Sequence, residues 1–274
     1  MSVKKLKKIL EPIFIAGKEV LPIFEGGKGI SVSSGLTAGS FAKENAVGTF
    51  SAVMPELIDE NGEVHLFKAT AFTRKERHEE LVSFSIKAAI SQARRAFDIS
   101  GKMGKIHMNV LWEMGGAKRV LEGVLEKARG VISGVTCGAG MPYQLADIAK
   151  KYETYYFPIV SSARALRALW KRSYHKASNL LGGVVYECPW KAGGHNGLSN
   201  SENPLEPQSP YHRLVEIRSF LNEVGMSDVP IILAGGVWNV SEYEDYLDNK
   251  DMKLPTKEEG RGQTNEIDNV DWEF

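Results

Sequence analysis

Ile106-His-Met-Asn-Val-Leu111, Val120-Leu-Glu-Gly-Val-Leu-Glu-Lys-Ala128 and Gly130-Val-Ile-Ser-Gly-Val135 follow one another in the middle of the chain. The outer two runs are short and apolar, as strands are; the middle one repeats its apolar residues at helical spacing. Strand, helix and strand in close succession predict a βαβ unit with its two strands parallel. The same alternation continues in both directions.

Upstream, Val82, Ile86, Ala89, Ala93 and Phe97 form one helical stripe, preceded by a strand over Val47–Val53, a helix over Leu36–Ala46 and a first strand over Leu21–Phe24. Between Glu56 and Thr73, Asn61-Gly62 separates two apolar runs, which predicts a short inserted hairpin. Downstream, Pro142 suits the first turn of a helix running to about Lys151, because its missing N–H is not needed there. A strand follows over Tyr155–Val160. Ser161 or Ser162 then caps a helix carrying Ala163, Leu166, Leu169 and Trp170. Leu181–Tyr186 reads as a sixth strand. Leu214, Ile217, Leu221 and Val224 form a helical stripe stopped by Gly225, and Val229–Ala234 reads as a seventh strand. Ser241 caps a last short helix through about Leu247.

The strands are near-continuous apolar runs, as expected when both faces of a parallel sheet are covered. A doubly wound sheet has the same alternation. Glycine and polar residues gather after almost every strand, however, where the βα loops of a barrel build a site on one face. The expected fold is therefore a TIM-type (β/α)8 barrel, incomplete because its eighth strand is missing. The barrel is expected over residues 1–249. Residues 250–274 are polar, acidic and aperiodic, and are expected to form a disordered tail. A C-terminally truncated reading frame would account for that ending.

Composition narrows the function. The chain has 274 residues, with Lys+Arg and Asp+Glu balanced at 34 each, so it lacks the basic excess of a nucleic-acid binder. No apolar run approaches the ~20 residues needed to span a bilayer. The basic start through Lys8, followed by Ile9-Leu10-Glu11-Pro12-Ile13-Phe14-Ile15, imitates a signal peptide, but its apolar run is short and broken by Glu11 and Pro12, so it reads as an amphipathic first helix covering a barrel end. The two cysteines, Cys137 and Cys188, have neither zinc nor CxxC spacing and fit a reducing cytoplasm. They read as buried rather than nucleophilic.

The segment Glu187–Pro210 is unusually long for a loop in such a fold, and long loops are often functional. It contains Ala192-Gly193-Gly194-His195-Asn196-Gly197. Paired glycines let the backbone approach a ligand, and an imidazole exchanges protons near neutral pH. Taken alone, the same motif is also a surface turn with a capping histidine.

This segment, with Glu187 ahead of it, resembles the signature of the nitronate monooxygenase family, formerly 2-nitropropane dioxygenases, which related enoyl reductases share. The resemblance runs from about Leu21 to Leu247. Gly26-Gly27 resembles the family's Gly-Gly-Met flavin contact, with Lys28 in place of Met and Glu25 in place of the common Gln. Asn109 matches an Asn that touches the flavin ring, and Gly138-x-Gly140-x-Pro142 matches a family turn. Ala234-Gly235-Gly236-Val237 matches the segment whose amides hold the FMN phosphate. The resemblance implies FMN at the C-terminal mouth of the barrel, contacted by Gly26, Gly27, Lys28, Asn109, Gly194, Gly235 and Gly236. It implies His195 as the base in the oxidation of alkyl nitronates or nitroalkanes by O2 to carbonyl compounds and nitrite.

Plainer readings stand beside these. Asn109 can be a hydrogen-bonded structural residue, Gly235-Gly236 an ordinary tight turn, Lys28 a solvated cation, and Trp190 either a pocket wall or core. Two further functional readings are an NAD(P)H-dependent, enoyl-reductase-like flavin barrel and an inactive remnant.

Overall fold

Parallel pairing in chain order decides between the two α/β architectures. The computed structural model describes residues 11–189, 192, 203, 205–206 and 210–235. Six parallel strands are hydrogen-bonded in the order of their appearance: β3 (Val47–Ser51), β6 (Lys105–Leu111), β7 (Gly134–Gly138), β8 (Tyr155–Val160), β9 (Val184–Glu187) and β10 (Ile231–Ala234). A doubly wound sheet reverses direction at a switch point. Here the order never reverses. The arrangement is the curled wall of a (β/α)8 barrel, incomplete among the described residues. Leu21–Phe24, the expected first strand, joins the wall at its start through a single parallel bridge from Phe24 to Val47. The backbone reinforces that bridge through Glu25 N–H to Val47 O (2.9 Å) and Val47 N–H to Ile23 O (3.0 Å).

Helices α1 (Gly35–Lys43), α2 (Arg74–Ile99), α3 (Ala117–Lys127), α4 (Leu145–Tyr152), α5 (Ala163–Arg172) and α6 (Pro210–Glu223) pack outside the sheet. Ser34 caps α1 and Ser162 caps α5 through side-chain bonds to Thr37 N–H and Ala165 N–H, which settles the choice between Ser161 and Ser162. A 3-10 helix, Tyr174–Leu180, extends α5.

Strand alternation sorts side chains to two faces. Phe50, Met108, Val110, Cys137, Tyr156, Val184, Tyr186 and Cys188 point outward into the core shared with the helices. Val47, Phe157, Val185 and Ile232 point inward and make a second, smaller core within the barrel. Both cysteines are therefore packing residues, as expected, and burial pushes the Cys137 thiol well above its usual range.

Several expected bounds move. The strand placed at Gly130–Val135 begins at Gly134. Gly130 has φ +76°, and Val131 N–H still bonds the helix end at Ala128 O, so the apolar run Val131-Ile132 completes a turn. The strand placed at Leu181–Tyr186 is regular only from Val184, with Leu181 bridging to Tyr156. The segment around Ile13–Ile15 was expected to be helical. It is instead β1 (Ile13–Ile15) of a hairpin with β2 (Lys18–Val20), turned by Ala16 and Gly17 at positive φ. Its β-branched Ile15 and Val20 bury inside the barrel core, so the hairpin covers the N-terminal end of the wall. The inserted hairpin is present as β4 (Leu57–Ile58) and β5 (Val64–His65). Asp59 Oδ1 accepts the Asn61 and Glu63 N–H groups (both 2.9 Å) and so fixes its Asn61-Gly62 turn.

The expected helix after Ser241 and the polar tail lie outside the described residues, as does most of the Glu187–Pro210 loop. Among the described residues, no helix is long and apolar enough to cross a membrane.

Candidate functional site

The C-terminal ends of β3 and β6 carry inward-facing polar side chains. Thr49 and His107 are register partners, and Ser51 and Asn109 form the next pair toward the mouth. Asn109 is buried; its Oδ1 accepts a bond from Thr136 Oγ1 on β7 (3.2 Å). Its Nδ2 donates to nothing among the described residues, so this amide proton pair remains available to a ligand.

The loop after Phe24 lies directly over this amide. A Cβ built on Gly27 would come within 2.3 Å of Asn109 Cβ, closer than any side chain can approach. Glycine at this position lets backbone and amide stack, while Gly26 beside it faces open space. The fold thus brings Gly27 against Asn109. Lys28 is exposed; its Nζ donates to Gly26 O (2.7 Å). Ser33 Oγ donates to the same carbonyl (2.9 Å) and accepts from Lys28 N–H (3.0 Å). The loop is a closed ring of short bonds, and the Lys28 cation serves to hold it.

At the far end of the wall, Gly235 has φ +91°, and a Cβ on it would meet the Ala192 backbone nitrogen at 2.7 Å. Cys188 N–H bonds Ala234 O (3.0 Å), and Ala192 N–H bonds Cys188 O (2.9 Å). Cys188 and Ala192 therefore pack against the end of β10. Gly194, His195 and Gly236 lie outside the described residues, as does Trp190. Gly138 ends β7 against the Ile159 side chain, and Gly140 turns at φ +107° over Glu113.

Two polar residues near this site were not among the expected ones. Glu25 is only 6% exposed. Its Oε2 accepts the Thr49 N–H (3.1 Å), and the hydroxyls of Thr37 and Ser33 are also within bonding reach. Burial nevertheless raises its pKa above the ordinary carboxyl value, against those bonds and the nearby Lys28 charge. His107 is fully buried between Phe24 and Phe157, with ring centroids at 6.0 and 4.4 Å. Neither of its ring nitrogens has a hydrogen-bond partner among the described residues. Burial, with a contribution from Lys105, depresses its pKa to about 3, so it is neutral. For Glu25 the sequence signal is its place where the family pattern has Gln, beside the paired glycines, and for His107 it is a histidine in an apolar strand. Lys105, at the other end of β6, bonds Ala16 O (2.7 Å) and is pushed down to about 8 by burial, with Lys18 adding to the shift. It belongs to the end opposite the site.

No family model matches the chain, and no curated protein matches it in sequence. Solved structures do match in fold. FabK of Thermotoga maritima is 16% identical, with 88% of this chain and 57% of that one covered, at a TM-score of 0.51. A nitroalkane oxidase from Streptomyces ansochromogenes is 14% identical, with 79% and 58% covered, at 0.52. An IMP dehydrogenase/GMP reductase-like protein from Corynebacterium glutamicum is 13% identical, with 86% and 63% covered, at 0.54. The chain spans about three fifths of the length of these proteins. At these identities the likeness establishes the fold.

Proposed function

We propose that the chain is an FMN-dependent oxidoreductase of the (β/α)8-barrel kind, acting on alkyl nitronates or nitroalkanes, with O2 as electron acceptor. The observation that carries this reading is the stacking of Gly27 on Asn109 at the C-terminal mouth. It joins two distant positions of the flavin-contact pattern into one surface, with an open glycine and an amide whose Nδ2 has no acceptor among the described residues. The fold shared with a protein described as a nitroalkane oxidase supports the substrate class.

The residues present fit FMN. Gly26 leaves space for close backbone approach, Asn109 Nδ2 is free to donate, and Gly235 supplies a positive-φ turn of the kind that aims amides at a phosphate. Gly26, Gly27, Lys28, Asn109, Gly194, Gly235 and Gly236 would hold the cofactor, which supplies the electron transfer between substrate and O2. An imidazole nitrogen of His195 takes the α-proton of a neutral nitroalkane, leaving the nitronate. The protein orients substrate against cofactor and keeps the proton acceptor in reach.

Nitrite release from propyl-2-nitronate by the FMN-loaded chain tests the activity. In His195→Asn, turnover of neutral nitroalkane is expected to fall roughly 100-fold or more while nitronate turnover survives. Equal nitroalkane turnover in the two proteins would remove His195 as the base. Rapid anaerobic reduction by NADH, without nitrite release, would replace the substrate assignment with a reductase.

A further inference from the structure

We propose that the protein carries a second ligand site, on the helix-facing side of the loops after β6 and β7, which binds a free amino acid with an apolar or aromatic side chain.

The site is a surface cavity of about 400 Å³, a size that suits a small molecule. It is separate from the mouth. Asn109 points into the barrel, whereas Trp112, just beyond it on the chain, lies with Met141 and Tyr143 against the outer core. The walls are tied to one another. Trp112 N–H bonds Gly138 O (2.8 Å), which joins the two loops. The buried Tyr174 hydroxyl donates to Pro142 O (3.1 Å), which pins the junction of α5 and the 3-10 helix to the loop after β7.

Three polar groups line this cavity without being used by the fold. Arg172, the last residue of α5, lies over the Tyr143 ring, with its guanidinium carbon 4.5 Å from the ring centroid. Stacking covers the face of a guanidinium and leaves its N–H edge to donate. Among the described residues that edge has no hydrogen-bond or ion-pair partner. Asp147, in the first turn of α4, is exposed and also unpaired among the described residues; Lys151, one turn further on, is held by Glu122 instead (3.2 Å). Ser173 is only 4% exposed, and its buried Oγ has no hydrogen-bond partner among the described residues. Buried hydroxyls are normally bonded, so this one points to a ligand.

Together the three groups match a zwitterion. The Arg172 edge and the Ser173 hydroxyl suit a carboxylate, and the Asp147 carboxylate suits an ammonium group. Arg172 and Asp147 share the cavity yet form no ion pair, so the opposite charges are held apart where a ligand bearing both would lie. A simple anion would be repelled by Asp147 and a simple cation by Arg172. Trp112, Met141 and Tyr143 supply the surface for an apolar or aromatic side chain.

Isothermal titration calorimetry of the full chain with L-phenylalanine and with L-methionine tests the proposal. Saturable one-to-one binding is expected, with a Kd on the order of 1 mM. 3-Phenylpropionate, which lacks the ammonium group, and phenethylamine, which lacks the carboxylate, are each expected to bind roughly tenfold more weakly than phenylalanine. Glycine, without a side chain, should bind more weakly still. Arg172→Gln is expected to weaken phenylalanine binding roughly tenfold and Asp147→Asn roughly threefold. Both side chains are exposed, so both variants should keep the native circular dichroism spectrum. The absence of saturable heat with either amino acid up to about 10 mM would overturn the proposal. So would equal binding of 3-phenylpropionate, or an affinity unchanged in Arg172→Gln. None of these outcomes involves FMN, so they leave the cofactor assignment to its own test.

Discussion

Gly27 and His107 are the two residues whose replacement separates site from scaffold. Gly27→Ala places a Cβ where Asn109 already lies, so the amide or the loop must shift. FMN affinity is expected to fall roughly tenfold or more, equivalent to about 1.4 kcal/mol, as read by flavin fluorescence titration. His107 is a cost to the fold. Two orphaned ring nitrogens in an apolar cage are unsatisfied polar groups, and His107→Leu is expected to raise stability by about 1 kcal/mol at pH 7 in urea denaturation. The pH dependence has a definite sign. The folded pKa lies near 3, below the unfolded value near 6.5, so below pH 6.5 the unfolded chain binds a proton that the folded chain refuses. Above pH 6.5 this group is neutral in both states and has no effect. As pH falls from 6.5 toward 3, it removes about 1.4 kcal/mol per unit. The gap between His107→Leu and the native chain should therefore widen from pH 7 to pH 5. A constant gap would mean that His107 is not held neutral. Asn109 and the paired glycines were legible in the sequence because residue type and position after a strand suffice to find them. Glu25 and His107 were not, because their character comes from what the sheet register places around them.

At the scale of elements, helices declared themselves through their caps and stripes. The Thr73–Glu76 capping box that opens α2 has Thr73 Oγ1 accepting Glu76 N–H and Glu76 accepting Thr73 N–H (both 3.2 Å). Thr73→Ala is expected to cost about 1 kcal/mol in the same denaturation experiment and to leave FMN affinity unchanged, since the box lies outside the cofactor loop. Strand ends were less legible. Val131-Ile132 is apolar enough for a strand, but pairing with β6 begins only at Gly134, opposite His107. The N-terminal hairpin is not legible as strands because Ile13-Phe14-Ile15 is too short to show a period. Its fold depends on the Ala16-Gly17 turn and on the open barrel end it fills. Local pattern gives the type of a long element, while tertiary partners set its limits.

For the whole molecule, the decisive feature is the monotonic order of parallel strands. Sequence alternation allowed both a barrel and a doubly wound sheet, and only the pairing distinguishes them. That order brings Gly26-Gly27, at the start of the wall, and Gly235, at its far end, to the same C-terminal rim, where a barrel collects its functional loops. The central claim is that this rim binds FMN. It is tested most directly by titrating the purified chain with FMN and following flavin fluorescence and the visible absorption spectrum. Saturable one-to-one binding is expected, weakened by Asn109→Ala and by Gly27→Ala but not by Thr73→Ala. Failure to bind, or binding indifferent to both Asn109 and Gly27, would contradict the account.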